Sequence, residues 1–355
     1  MDMLRKVRPA ATADGVPVIA LAHNEANLVE PFLRHYRGFG PVHFVIVDDG
    51  STDGTFEALE NQPDVTIYRP ADGSRYSEHK HEWRQTLLAT HAAERWALLP
   101  DLDELFVYAG MEGKPFAEYL QELEREAAQG VLTVMIDMYA DRPLADHRFE
   151  GGADADLIET FPFFDGPDAA PFGYHFRYAS PQKRASTPTP VLSVHGGMRD
   201  RLFRAPQVAV SRLELALVSR VAALGGPVTP KGRHLLAHRL ATRLTRKVLK
   251  GALDMHKIGL LRWTPGLRYS TAHGFSTPIR LSESIAAFLH FKFTRGAGGL
   301  EYVAQRGQHF AGSQHYKTML SSSEALKRSP VFAGSLRYRG SESLRGIVRG
   351  VPPAR

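Results

Sequence analysis

The chain has 355 residues, 43% of them hydrophobic and 23% charged, which excludes a wholly disordered polypeptide and leaves ample apolar material for a large core. It contains no cysteine, so a disulfide framework, a thiolate metal site and a cysteine nucleophile are excluded. Lys and Arg number 44 against 38 Asp and Glu, a net charge of +6 that is modest but unevenly spread. There is no signal-peptide core near Met1 and no run of about 18 apolar residues, so a cytoplasmic location without a spanning helix is expected. In chain order, Val16–Ala22 is a short apolar run that predicts a buried strand. Leu28, Phe32 and Tyr36 then recur at helical spacing up to Gly38 and Gly40. Val42–Val47 predicts a second strand, followed by the turn Asp48–Thr55, in which Ser51 or Asp53 can cap a short helix. A strand at Val65–Tyr68, a helix over Lys80–Arg95, a strand at Trp96–Leu99, a helix near Pro115–Gln129 and a strand at Val131–Ile136 complete the series. This alternation predicts an α/β protein with a mainly parallel sheet flanked by helices. Residues 141–206 read as loops with short strands, Ile285–Phe293 as a late strand, and 321–355 as a flexible tail.

In such a sheet, ligands bind beyond the carboxyl ends of the strands. Three predicted strands end there in polar residues: His23-Asn24-Glu25, Asp48-Asp49 and Asp101-Leu102-Asp103-Glu104. On extended backbone Asp101 and Asp103 share a side, and such a pair can hold a hard divalent cation through oxygen. On strand alternation His290 and Lys292 project together from the late strand. His273 is a weaker metal or phosphate candidate, and Trp83 and Tyr174 are core residues by default.

These segments, with the full Asp48-Asp49-Gly50-Ser51-Thr52-Asp53-Gly54-Thr55 string, resemble the family 2 glycosyltransferases of GT-A (Rossmann-like) fold. The chain looks like the bacterial branch with a central Asp-x-Asp-Glu and a late His290-Phe291-Lys292-Phe293 strand; Gly196-Gly197-Met198-Arg199 resembles that branch's Gly-Gly-x-Arg loop. The resemblance implies a metal-dependent, inverting glycosyltransferase that moves a sugar from a nucleotide-diphosphate sugar to a glycan, lipid-linked or other envelope acceptor. It implies that Asn24, Glu25, Asp48, Asp49 and Asp101 meet the nucleotide sugar and that Asp103, with Asp101 and His290, holds Mn2+ or Mg2+; a departing diphosphate also calls for nearby cations, and Arg199, Arg201 and Lys292 are the candidates. Asp165 is the first choice for the general base, with Asp200 and Glu104 as alternatives. The catalytic core is expected over 16–205 and 254–320, interrupted by a basic helical insertion at 206–253. A sugar nucleotidyltransferase and an inactive scaffold of the same fold are the rival readings. The first would want a glycine-rich basic loop after the first strand, where His23-Asn24-Glu25 stands.

Residues 231–250 carry seven Lys or Arg and no acid, with Leu236, Leu240, Leu244 and Val248 forming one stripe. A basic amphipathic helix of this kind suits an anionic membrane surface, which would place the protein peripherally on the inner membrane face. It lacks the interleaved aromatics of nucleic-acid binders, and no nucleic-acid partner is expected.

Overall fold

The computed structural model describes residues 3–167, 173–204, 211, 213, 216, 224–246, 253–271, 274–308 and 310–353. The first half runs β1 (Leu4–Arg8), β2 (Val16–Ala22), α1 (Ala26–Arg37), β3 (Val42–Asp48), α2 (Thr55–Glu60), β4 (Val65–Pro70), α3 (Tyr76–His91), β5 (Trp96–Leu98), β6 (Glu104–Val107), α4 (Phe116–Arg125) and β7 (Gly130–Asp137). The second runs β8 (Phe163–Asp165), β9 (His175–Tyr178), β10 (Leu192–His195), α5 (Gly232–Leu244), β11 (His256–Arg262), β12 (Tyr269–Thr271), β13 (Gly274–Phe275), β14 (Leu281–His290), α6 (Gly296–Arg306), α7 (Phe310–Ser321) and β15 (Ser335–Arg337).

Nine strands form one mixed sheet in the order β1-β4-β3-β2-β5-β11-β7-β14-β6. β2, β3, β4 and β5 are parallel, and β14 is parallel to β7. β11 is antiparallel to both β5 and β7, so those two point the same way. Strand alternation sorts the core onto two faces. Ile19, Leu21, Val45 and Val47 pack with Trp83, Leu87 and Leu88 of α3. Val18, Ala20, Phe44 and Ile46 pack with Phe32 and Tyr36 of α1, Leu59 of α2 and Tyr119 of α4. A third cluster, including Tyr139, Phe293, Leu300 and Met319, seats α6 and α7 at one end of the sheet.

The α/β sheet flanked by helices is as expected. The short strands β1 and β6 escape the sequence pattern, and two expectations are corrected. The tail is packed where it is described: β15 pairs with β8, Ile285 and Arg349 exchange backbone hydrogen bonds at 3.0 Å, and Leu344 and Ile347 are buried. The segments 16–205 and 254–320 both supply strands to this one sheet. β14 ends at His290, so Lys292 lies in the following turn rather than alternating with it. Among the described residues no helix is long and apolar enough to cross a membrane.

Candidate active site

The carboxyl ends of β2, β3, β5, β7 and β14 share one edge of the sheet, and the antiparallel strands β6 and β11 begin there. This brings Glu25, Asp48, Asp49, Asp101, Asp103, Glu104, Asp137, Lys257 and His290 to a single rim.

On the β2–β3 side, polar side chains tie two loops together. Asn24, at φ +53°, receives a backbone hydrogen bond from Thr52 N on Oδ1 (2.7 Å), and its own N–H donates to Ser51 Oγ (3.0 Å). Glu25 N donates to Thr55 Oγ1 (2.8 Å). Asp53 accepts from Ala26 N and Thr55 N, both at 3.1 Å, and so satisfies the opening turns of α1 and α2 together. Asp53 is thus the capping group, although Gly54 holds the N-cap position of α2. Asp48 is fully buried and accepts from Ser51 N and Arg69 Nε, both at 3.2 Å, while Arg69 stacks 4.0 Å over Phe56. Asp49 is ion-paired to Arg306 of α6, and its carbonyl lies 2.7 Å from His23 Nδ1. A cleft of about 270 Å³ opens beside it, lined by Asp49, Arg75, Tyr76 and Arg306.

On the β5–β14 side the groups are charged. Asp101 pairs with Arg84 of α3 and with Lys257 at 3.0 Å. Lys257 also holds Glu104 at 2.5 Å, and Glu104 accepts from Asp101 N at 2.8 Å. His290 Nδ1 lies 2.7 Å from Asp137, which is also bound by Arg199 at 2.8 Å, and His290 Nε2 lies 3.2 Å from Asp103. Burial works against every charge here. Against it, Lys257 and Arg84 hold Asp101 below the ordinary carboxylate range, and His290 does the same for Asp103. Burial dominates at Glu104, pushed up to about 7, and at Glu25, raised further by Asp103 and Asp101. Asp103 and Asp137 keep His290 above its usual value despite its burial.

Asp103, Glu104 and His290 offer ligand atoms within 4.8 Å of one another, a set that could hold a metal ion. The donors suit one. Two are hard oxygens, and the third is an imidazole whose other nitrogen is oriented by a buried carboxylate, as in metal-binding histidines generally.

The structure brings together Asn24, Glu25, Asp48, Asp49, Asp101, Asp103, Glu104 and His290. Lys292 stays nearby, its Nζ donating to Tyr316 OH and standing 4.3 Å from that ring. Asp101 and Asp103 meet through a turn at Leu102-Asp103 rather than as neighbours on an extended strand, and Asp101 already has two cations on it. The proposed bases fare differently. Asp165 is fully buried, with both oxygens on Arg201 at 2.8 Å and a third bond from Tyr139 at 2.7 Å. Asp200, also buried, is engaged by Arg204 at 2.7 and 2.8 Å. Neither carboxylate is available to an acceptor. Arg201 is committed to Asp165 and stacks 3.9 Å from Phe332. Arg199 reaches the cluster only through Asp137 and His290, so it positions rather than meets a diphosphate. Its loop needs Gly197 at φ +79°, where a Cβ would stand 2.8 Å from Tyr174 OH. Trp83 and Tyr174 are core residues. His273 lies outside the described residues. Sequence reading missed Arg84, Asp137, Lys257 and Arg306; Asp137 alone carried the signal used elsewhere, an acid closing an apolar strand run.

No protein-family model matches the chain, and no curated protein matches it. Among solved structures, an apo UDP-glucose pyrophosphorylase overlaps 86% of this chain and 98% of its own at 10% identity and a TM-score of 0.26. A UDP-glucose pyrophosphorylase complexed with UDP-glucose overlaps 86% and 99% at 11% identity and a TM-score of 0.25. Overlap this loose carries no argument about chemistry, and the reading of the site rests on its own geometry.

Proposed function

We propose that the protein is a metal-dependent glycosyltransferase that uses a nucleotide-diphosphate sugar and inverts the transferred centre. The observation that carries this is the convergence of Glu25, Asp103, Glu104 and His290 at the strand ends beside Asp48 and Asp49. Asp103, Glu104 and His290 are the residues that would hold Mn2+ or Mg2+, and the ion would supply charge to offset the departing diphosphate. Lys292 adds a cation near Asp103. Among the described residues Glu25 is the one carboxylate of the rim without an ion-pair partner. A cleft of about 400 Å³, lined by the next residues of the chain, Ala26 and Asn27, with Phe149, Arg295 and Tyr302, is where this reading seats the acceptor. In this reading Glu25 takes the proton of the acceptor hydroxyl as its oxygen bonds to the anomeric carbon. The bond from that carbon to the phosphate oxygen breaks, and the nucleoside diphosphate leaves with the electron pair.

The rival is a sugar nucleotidyltransferase, the class to which both loosely overlapping structures belong. The loop after β2, His23-Asn24-Glu25, has neither the glycines nor the cation that a triphosphate would call for. One assay separates the readings. The protein is incubated with Mn2+ and a panel of nucleotide-diphosphate sugars, and separately with nucleoside triphosphates and sugar 1-phosphates. Release of nucleoside diphosphate, lost in Asp103→Asn, supports the transferase; release of pyrophosphate supports the rival; neither product across the panels leaves the inactive scaffold.

A further inference from the structure

The helix α5 is turned the opposite way from an ordinary surface helix. It docks on β9 through its small and polar side: His238 packs edge-on against Phe176 at 5.9 Å, Ala241 is buried, and Tyr178 N donates to Thr242 Oγ1 at 3.0 Å. Three of its four leucines face outward, and Leu235 is half-buried. Leu236, Leu240 and Leu244 are 64%, 58% and 50% exposed, and their four-residue spacing makes one continuous stripe. They are three of the five large hydrophobic side chains standing exposed among the described residues. Lys231, Arg233, Arg243 and Arg246 are also exposed and have no acidic partner among the described residues. The stretch 215–253 contains no acid at all. Val248, which continues the stripe, lies outside the described residues.

Burying leucines on the protein and leaving arginines in water is the usual economy of a surface helix. Here both the leucines and the arginines are outside, while the inner face holds the helix in place without them. We infer that this face lies on an anionic lipid surface, with Leu236, Leu240 and Leu244 entering the acyl boundary and Arg233 and Arg243 meeting headgroup phosphates. Charge complementarity chooses this occupant. An apolar protein partner alone would leave four cations unanswered, whereas nucleic acid would leave three leucines in water. The inference is independent of the reading of the catalytic rim.

The test is co-sedimentation of the full chain with phosphatidylcholine vesicles, with and without phosphatidylglycerol. The protein is expected to bind only the anionic vesicles and to be released as salt is raised. Leu236→Ser, Leu240→Ser and Leu244→Ser combined lower the partition coefficient more than tenfold. Glutamine at Arg233 or Arg243 lowers it roughly fivefold for each charge removed. All five side chains are exposed, so unchanged thermal melting is expected and is measured alongside. Equal binding to neutral vesicles, or unchanged binding by the triple leucine variant, overturns the inference. So does a concentration-dependent dimer that the leucine variant abolishes, which would make the occupant a second copy. Tight binding of duplex DNA that the leucine variant retains would equally overturn it.

Discussion

The two sides of the candidate site's rim are built by different physics. Beside β2 and β3, two loops adjacent in space are sewn together by Asn24, Ser51, Asp53 and Thr55, each bonding a backbone group. Between β5 and β14, the fixed points are ion pairs among groups far apart in the chain: Lys257 with Asp101 and Glu104, His290 with Asp103 and Asp137, Arg199 with Asp137. The first side gains most of its order from many modest bonds, with the ion pairs of Asp48 and Asp49 beside them. The second rests on a few charges, most of them buried, that share partners, so that removing Lys257 uncovers two carboxylates at once.

That contrast has measurable edges. The largest effect on stability is expected at Lys257→Met, which leaves Asp101 short of one cation and Glu104 buried without one; a loss of about 3–5 kcal/mol in urea unfolding is expected. Lys257→Arg, which keeps the charge, should recover part of it. Next, Glu25→Gln should lower kcat by about 100-fold or more with little change in nucleotide affinity by thermal shift, since it removes a proton acceptor and no ion pair. A full loss of nucleotide binding instead would assign Glu25 to the donor. Acid should act on the surroundings of the charged side. Burial holds His147 and His175 down to about 4, so each is neutral when folded while the unfolded chain takes up a proton below about 6.5. Stability therefore rises with pH between these values, is fully present above the upper one, and is lost towards pH 4 by on the order of 3 kcal/mol per histidine. The slope of the urea midpoint against pH, flattened in His175→Asn, checks it. The smallest effect belongs to the sewn side. Asp53→Ala, which frees two helix-opening N–H groups, should cost about 1–2 kcal/mol, with catalysis reduced only through the positions of Asn24 and Glu25.

The same contrast explains what could be read from the sequence. The strands β2, β3, β5 and β7, and the polar residues that follow the first three, were legible because a buried parallel strand writes itself as an apolar run and its ligand end as a polar break; Asp137, which closes β7, was passed over. The loop string 48–55 was legible as a unit, although most of its polar residues turn out to bind backbone. The ion pairs were not. Lys257 lies 156 residues from Asp101, and nothing local to either announces the other. Asp165 looked like a spare carboxylate for the same reason, since Arg201 lies 36 residues away; Asp200 is held by Arg204 only four residues on, a local pair hidden because the segment was read as a loop. The leucine stripe of α5 was visible as a pattern, but a pattern gives a face and not its direction; only the packing of His238 and Ala241 shows which side is turned inward.

The position of β11 has a consequence for how the chain is made. It fills the gap between β5 and β7, yet it is synthesised after both, and its last residue is Arg262. Until that residue has left the ribosome, two central strands present unpaired backbone on facing borders, a template for any extended segment that arrives first. The nascent protein therefore passes through a long interval with a slot through its middle, and a chaperone that shields that slot should raise the yield of folded protein more than one that acts on either end of the sheet.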